Sequence, residues 1–168
     1  MTEMATLGAG CFWCVEAIFS SISGVGGVQV GYCNGETLNP NYDIVWAGSS
    51  GYAEVAQVSF DPSIISFEQI LEHFFKTHDP TTLNKQGADI GTQYRSGIFY
   101  HDENQKKIAL KVIDRINKDK VYDSPIATEV SELKNYHIAE SYHQNYYRNN
   151  KSDPYCMLVI KPKLDKIK

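Results

Sequence analysis

The chain has 168 residues, enough for one domain with a sizeable core, and its composition of 42% hydrophobic and 21% charged residues is that of an ordinary globular protein. A formal net charge of −4 argues against a nucleic-acid partner, which calls for a basic surface. There is no apolar run long enough for a transmembrane helix, and the N-terminus lacks the charged-then-apolar pattern of a signal peptide. The expectation is therefore a single cytoplasmic domain over residues 1–168, monomeric, with no membrane partner.

In chain order, Thr6 to Gly10 reads as a short strand of small residues. Val15, Ile18, Phe19 and Ile22 then recur at helical spacing and predict one apolar helix face. Gly24 to Gly27 breaks that helix, and Val28, Val30 and Tyr32 alternate as in a strand. Asn34 to Ser50 is polar with Gly and Pro and reads as a long loop, a length that is often functional. Glu54 to Phe60 alternates again. A second helix follows, with Ser66 and Gln69 at capping-box spacing and an apolar face of Phe67, Ile70, Leu71, Phe74, Phe75 and His78. Residues 81–95 read as a loop and Gly97 to Tyr100 as a strand. A third helix starts near Asp102, with Ile108, Val112 and Ile116 four apart. Ile126 to Val130 alternates, and the Tyr- and His-rich stretch from Tyr136 to Tyr147 reads as partly helical. The basic tail Lys161 to Lys168 reads as a solvated terminus. The order β-α-β-β-α-β-α-β predicts a mixed α/β two-layer sandwich.

The chemistry points to Gly10-Cys11-Phe12-Trp13-Cys14. Gly8 and Gly10 permit a tight strand-to-helix turn that sets Cys11 at a helix N-terminus, where unpaired N–H groups and the helix dipole favour a thiolate. This predicts a lowered pKa and a nucleophilic sulfur. Cys14, one turn on, is placed to resolve an oxidised Cys11. Two rival readings stand beside this one. Four cysteines (Cys11, Cys14, Cys33, Cys156) could bind zinc, although Cys33 and Cys156 form no second C-x-x-C pair. A thioredoxin-like dithiol is the stronger rival, but bulky Phe12-Trp13 suits gripping an apolar group beside the sulfur. Glu54 is either a carboxyl facing the core, with a raised pKa and a proton to donate, or the exposed end of its strand. Asp89 lies in a polar loop where a simple turn contact is the plainer reading. Tyr42, Tyr94 and Tyr146 lie in polar segments where a phenol could serve a ligand, and His78 and His143 read as packed or hydrogen-bonded.

A series of short motifs resembles the A-type methionine sulfoxide reductases, the peptide-methionine (S)-S-oxide reductase family. They run in order: Gly10-Cys11-Phe12-Trp13-Cys14-Val15-Glu16, Val30-Gly31-Tyr32, Asn39-Pro40-Asn41-Tyr42, Gly51-Tyr52-Ala53-Glu54-Val55, Phe60-Asp61-Pro62, His78-Asp79-Pro80-Thr81, Gly91-Thr92-Gln93-Tyr94-Arg95-Ser96 and Tyr142-His143-Gln144-Asn145-Tyr146. The resemblance implies a ferredoxin-like split βαβ core and no cofactor or metal. It implies Cys11 as nucleophile, Phe12 and Trp13 around the sulfoxide methyl group, and Glu54 as proton donor. Tyr42 and Tyr94 would hydrogen-bond the sulfoxide oxygen, with Asp89 and Tyr146 at further substrate-binding positions. It also implies reduction of methionine-S-sulfoxide, free or in proteins, through a sulfenic acid and a disulfide that thioredoxin or a similar dithiol resets. Three features depart from the family's commoner pattern: Cys14 stands where many members have Gly, Cys33 where a small residue is usual, and the glycine-rich C-terminal tail is absent. Cys14 is the first candidate for the resolving thiol and Cys156 the second. Tyr52, usually His in the family, is expected to matter little.

Overall fold

The computed structural model describes residues 2–167. Its elements are β1 (Glu3–Gly8), α1 (Phe12–Phe19), β2 (Val25–Cys33), α2 (Tyr42–Trp46), β3 (Ala53–Phe60), α3 (Phe67–Thr77), β4 (Lys85–Gln86), β5 (Asp89–Ile90), β6 (Gly97–Tyr100), α4 (Glu103–Lys118), β7 (Glu129–Glu132), β8 (His137–Ile138), α5 (Tyr146–Asn149) and α6 (Lys161–Ile167). Six strands form one mixed sheet in the order β7-β6-β1-β3-β2-β8, and β4 pairs with β5 in a small separate hairpin. Only β6 and β7 pair in parallel. Strands β1 and β2 both run antiparallel to β3, which lies between them, so α1 closes a split βαβ unit. Strands β3 and β6 flank β1 in the same way, and α3 closes a second such unit. This is the ferredoxin-like core that the resemblance implies.

Local sequence explains the helices. Ser66 caps α3: its hydroxyl accepts the Gln69 N–H (3.1 Å), while Gln69 Oε1 accepts the Ser66 N–H (2.9 Å). Asp102 caps α4 through the Gln105 N–H (2.8 Å). Helices α1, α3 and α4 lay their apolar faces on one side of the sheet, where Phe12, Ile18, Phe19, Ile70, Leu71, Phe74 and Val112 join Leu7, Ala56 and Val58 in the main core. The opposite face carries a small cluster of Cys33, Ala53, Val55 and Phe99, covered by Leu133 and Tyr136.

Four local expectations are corrected. The Asn34–Ser50 loop contains α2, capped by Asn41, whose side chain accepts the Ile44 N–H (2.9 Å). The 81–95 loop contains the β4–β5 hairpin and a 3₁₀ turn at Thr92–Tyr94. The strand read at 126–130 lies at Glu129–Glu132, where pairing with β6 sets its limits. Residues 161–167 of the basic tail are helical rather than loose: Leu164 buries into the main core behind Ile160, a hold that charge counting overlooks. Tyr52 also does more than expected. It is buried, its hydroxyl donates to the Thr37 carbonyl (2.6 Å), and its ring lies where a side chain on Gly35 would stand, so it pins the long loop.

Candidate active site

Strand β1 ends at Gly8 and the chain turns sharply into α1. Gly10 makes the turn possible: its φ is +88°, and a Cβ there would stand 2.8 Å from the Gln86 side chain. Cys11 follows as the N-cap of α1, with no side-chain capping bond. The first N–H of the helix, that of Phe12, instead donates to Glu54 Oε1 (3.2 Å). Glu54 reaches this position from the start of β3, the central strand, and is 1% exposed.

A cavity of about 170 Å³ opens over this helix end, lined by Cys11, Phe12, Trp13, Tyr42, Trp46, Glu54, Asp89, Tyr94 and Tyr155. Seven of the residues that the sequence singles out therefore meet in one place, from four separate segments. Tyr42 opens α2, its backbone N–H held by Glu140 Oε2 (2.9 Å). Tyr94 ends the 3₁₀ turn, and Asp89 stands on β5. Tyr146 is not in the lining. It stacks flat on Trp13, with ring centroids 3.8 Å apart and planes within 10°, and so acts on the cavity through that indole. The indole is fixed on a second side, because its Nε1–H donates to His143 Nδ1 (3.0 Å). That bond puts the imidazole proton on Nε2, which has no partner among the described residues, and burial holds His143 neutral by lowering its pKa.

The sequence reading passes over two wall residues, Trp46 and Tyr155. The Tyr155 hydroxyl donates to Asp89 Oδ2 (2.8 Å), lies 3.8 Å from the Cys14 sulfur, and its ring meets Trp13 edge-on. The one signal available was its place next to Cys156.

Burial drives the electrostatics. It raises the Glu54 carboxyl to about 8, with the Asp89 and Cys14 charges adding to the rise and the Phe12 N–H opposing it, so Glu54 carries a proton at neutral pH. Burial raises Tyr42 and Tyr94 well above the usual phenol range, which keeps both as hydrogen-bond donors. The helix position alone predicts a lowered pKa for Cys11, and here the structure overturns the expectation. Burial of the sulfur, its hydrogen bond with Cys14 and the nearby Glu54 push the Cys11 thiol up, against a weaker pull from the Trp13 N–H. Cys14 is the acidic member, lowered to about 7 chiefly by the hydrogen bond from Cys11 and further by Lys163 and Tyr155. Transfer of the Cys11 proton to the Cys14 thiolate leaves the thiolate on Cys11.

The other two thiols differ. Cys156 is fully buried in the main core at the head of a one-turn π-helical stretch, Cys156–Ile160, and feels the charge of Cys14. Cys33 lies in the small cluster on the far face of the sheet. All four are free thiols. No group of three or more His, Cys, Asp or Glu side chains among the described residues is arranged to hold a metal ion.

A model of the peptide methionine sulfoxide reductase family matches residues 3–168. The chain belongs to that family. It is 51% identical to the peptide methionine sulfoxide reductase MsrA of Chromobacterium violaceum over 166 residues, 99% of this chain and 94% of that protein. Its fold is similar to that of Mxr1 from Saccharomyces cerevisiae in reduced form, with a TM-score of 0.86 and 37% identity over 92% of this chain and 89% of the yeast chain. A structure of the same yeast protein in complex with Trx2 is similar over 86% of this chain and 84% of that one, with a TM-score of 0.59 and 28% identity.

Proposed function

We propose that this protein reduces methionine-S-sulfoxide, free or within a polypeptide, to methionine with Cys11 as the nucleophile. The observation that carries the reading is the single small cavity in which a thiol, a protonated carboxyl and two phenols face an aromatic wall. About 170 Å³ suits the end of one unbranched side chain.

A sulfoxide oxygen leaves sulfur only when its growing negative charge is neutralised. Glu54 supplies the proton, and the Tyr42 and Tyr94 hydroxyls donate hydrogen bonds where the charge develops. The methyl group sits against Phe12 and Trp13. Asp89 fixes Tyr155 at the cavity wall, and Tyr146 backs Trp13. The Cys11 thiolate attacks the sulfoxide sulfur to form a sulfur–sulfur bond as the protonated oxygen leaves as water; a water then attacks the Cys11 sulfur, the sulfur–sulfur bond breaks, methionine departs, and Cys11 is left as a sulfenic acid. A second thiol then condenses with it, releasing water and forming a disulfide. Cys14 is the resolving thiol on this reading, because it stands three residues on from Cys11, in the first turn of the helix that Cys11 caps. Cys156 is the alternative. A thioredoxin-type dithiol takes the disulfide back to two thiols, as the Trx2 complex of the yeast relative supports. The whole chain works as one domain and as a monomer. None of its described helices is long and apolar enough to cross a membrane. A reducing cytoplasm is the setting that would keep its four free thiols reduced.

The test is turnover of the S epimer by Cys11→Ser. The reading requires complete loss, and retained turnover would sink it. Mass mapping after a single turnover should find Cys11 joined to Cys14. A Cys11–Cys156 bridge would transfer the resolving role.

A further inference from the structure

Two tryptophans line the cavity, and they are held very differently. Trp13 is clamped by Tyr146, His143 and Tyr155. Trp46, at the C-terminal end of α2, is 62% exposed, and its ring stacks on no other ring among the described residues. Its backbone is nonetheless fixed: the Trp46 carbonyl accepts the Gln93 amide (3.0 Å), and the Gly48 carbonyl accepts the Thr92 hydroxyl (3.2 Å). A large apolar side chain is therefore anchored at the mouth with its face open to water. Isolated exposed apolar residues are common, but this one stands in the wall of a substrate cavity.

We propose that Trp46 forms a subsite for an apolar or aromatic side chain two positions from the oxidised methionine in an unfolded polypeptide. The inference deepens the reductase reading and rests on it. Once a methionine sulfoxide side chain fills the cavity, its own backbone must lie across the mouth. In an extended chain the immediate neighbours point away from the enzyme, and the residues two positions along, roughly 6.6 Å away, point back to it. A Leu or Phe at such a position can then cover the Trp46 indole and remove apolar surface from water on both partners. The rim also chooses by charge. Asp43 lies exposed on α2, Asp89 is part of the wall, and the Glu140 carboxylate sits behind Tyr42. None is matched by a cation in an ion pair among the described residues, so an acidic flanking residue meets like charge.

The experiment compares kcat/KM for blocked pentapeptides with a central methionine-S-sulfoxide, Gly on either side of it, and Gly, Leu or Glu at both ends. The native enzyme should prefer Leu over Gly by about tenfold, the effect of burying one aliphatic side chain, and should disfavour Glu. Trp46→Ala should bring the Leu/Gly ratio close to one, and Trp46→Phe should keep most of it. Because the readout is a ratio, a general loss of activity cannot imitate the result. A native ratio near one, or a ratio that Trp46→Ala leaves unmoved, overturns the subsite. No turnover of even the Gly-flanked peptide by the native enzyme overturns the reductase reading, and this inference with it.

Discussion

Two buried carboxyls border α1, and they differ in what satisfies them. Glu54 receives a single N–H, from Phe12 at 3.2 Å, and faces a cavity. Glu16, within the helix and 3% exposed, receives the Asn145 N–H at 2.9 Å and also that of Tyr146. Burial raises both. In Glu16 two backbone donors work against that rise and tie the carboxylate to the start of α5, which in turn sets Tyr146 against Trp13. In Glu54 one donor is not enough, and the group keeps a proton to give away. The lesson is that a buried acid becomes a brace or a proton store according to how many donors the fold aims at it.

The sharpest way to break this comparison is Glu54→Gln. Loss of a general acid costs about 10²- to 10⁴-fold in rate, so kcat should fall within that range at pH 7 to 8. The loss should shrink toward acidic pH, where solvent supplies the proton. A loss of equal size at every pH would make Glu54 a brace like Glu16. The same variant has an opposite effect on stability. The folded pKa of about 8 lies above the unfolded value of 4.5, so the folded state binds more protons between them and stability falls as pH rises through that window. Glu54→Gln removes this penalty. Denaturant unfolding should show it more stable than the native protein at pH 8 to 9, by an amount on the order of several kcal/mol, with the advantage vanishing near pH 4.

Glu16→Gln should cost about 1–3 kcal/mol, because a neutral amide with one accepting oxygen replaces a carboxylate with two. It should raise KM as the Tyr146–Trp13 stack loosens, while the shape of the pH–rate profile stays that of the native enzyme. A shifted profile would erase the distinction between the two acids. The smallest effect belongs to a control away from both: Ser66→Ala removes the capping box of α3 and should cost about 1 kcal/mol in denaturant unfolding with no change in kinetics.

The sequence determined what is local. The Gly10 turn, the apolar face of α1, the Ser66 and Asp102 caps and the order of the main elements are written in neighbouring residues, so they could be read directly. It also determined which residue types would carry the chemistry, through motifs that keep their order. Only the tertiary structure decided the state of those groups. Alternation put Glu54 on a side of β3 but could not choose its environment, because a central strand is buried on both faces, with Ala53 and Val55 on one and Ala56 and Val58 on the other. Helix position predicted an acidic Cys11, and burial beside Cys14 and Glu54 reversed it. Tyr155 reaches Cys14 from 141 residues away, and no local pattern signals such a contact. Desolvation and shared protons depend on everything that surrounds an atom, and for Cys11 most of that surrounding comes from strands and helices far along the chain.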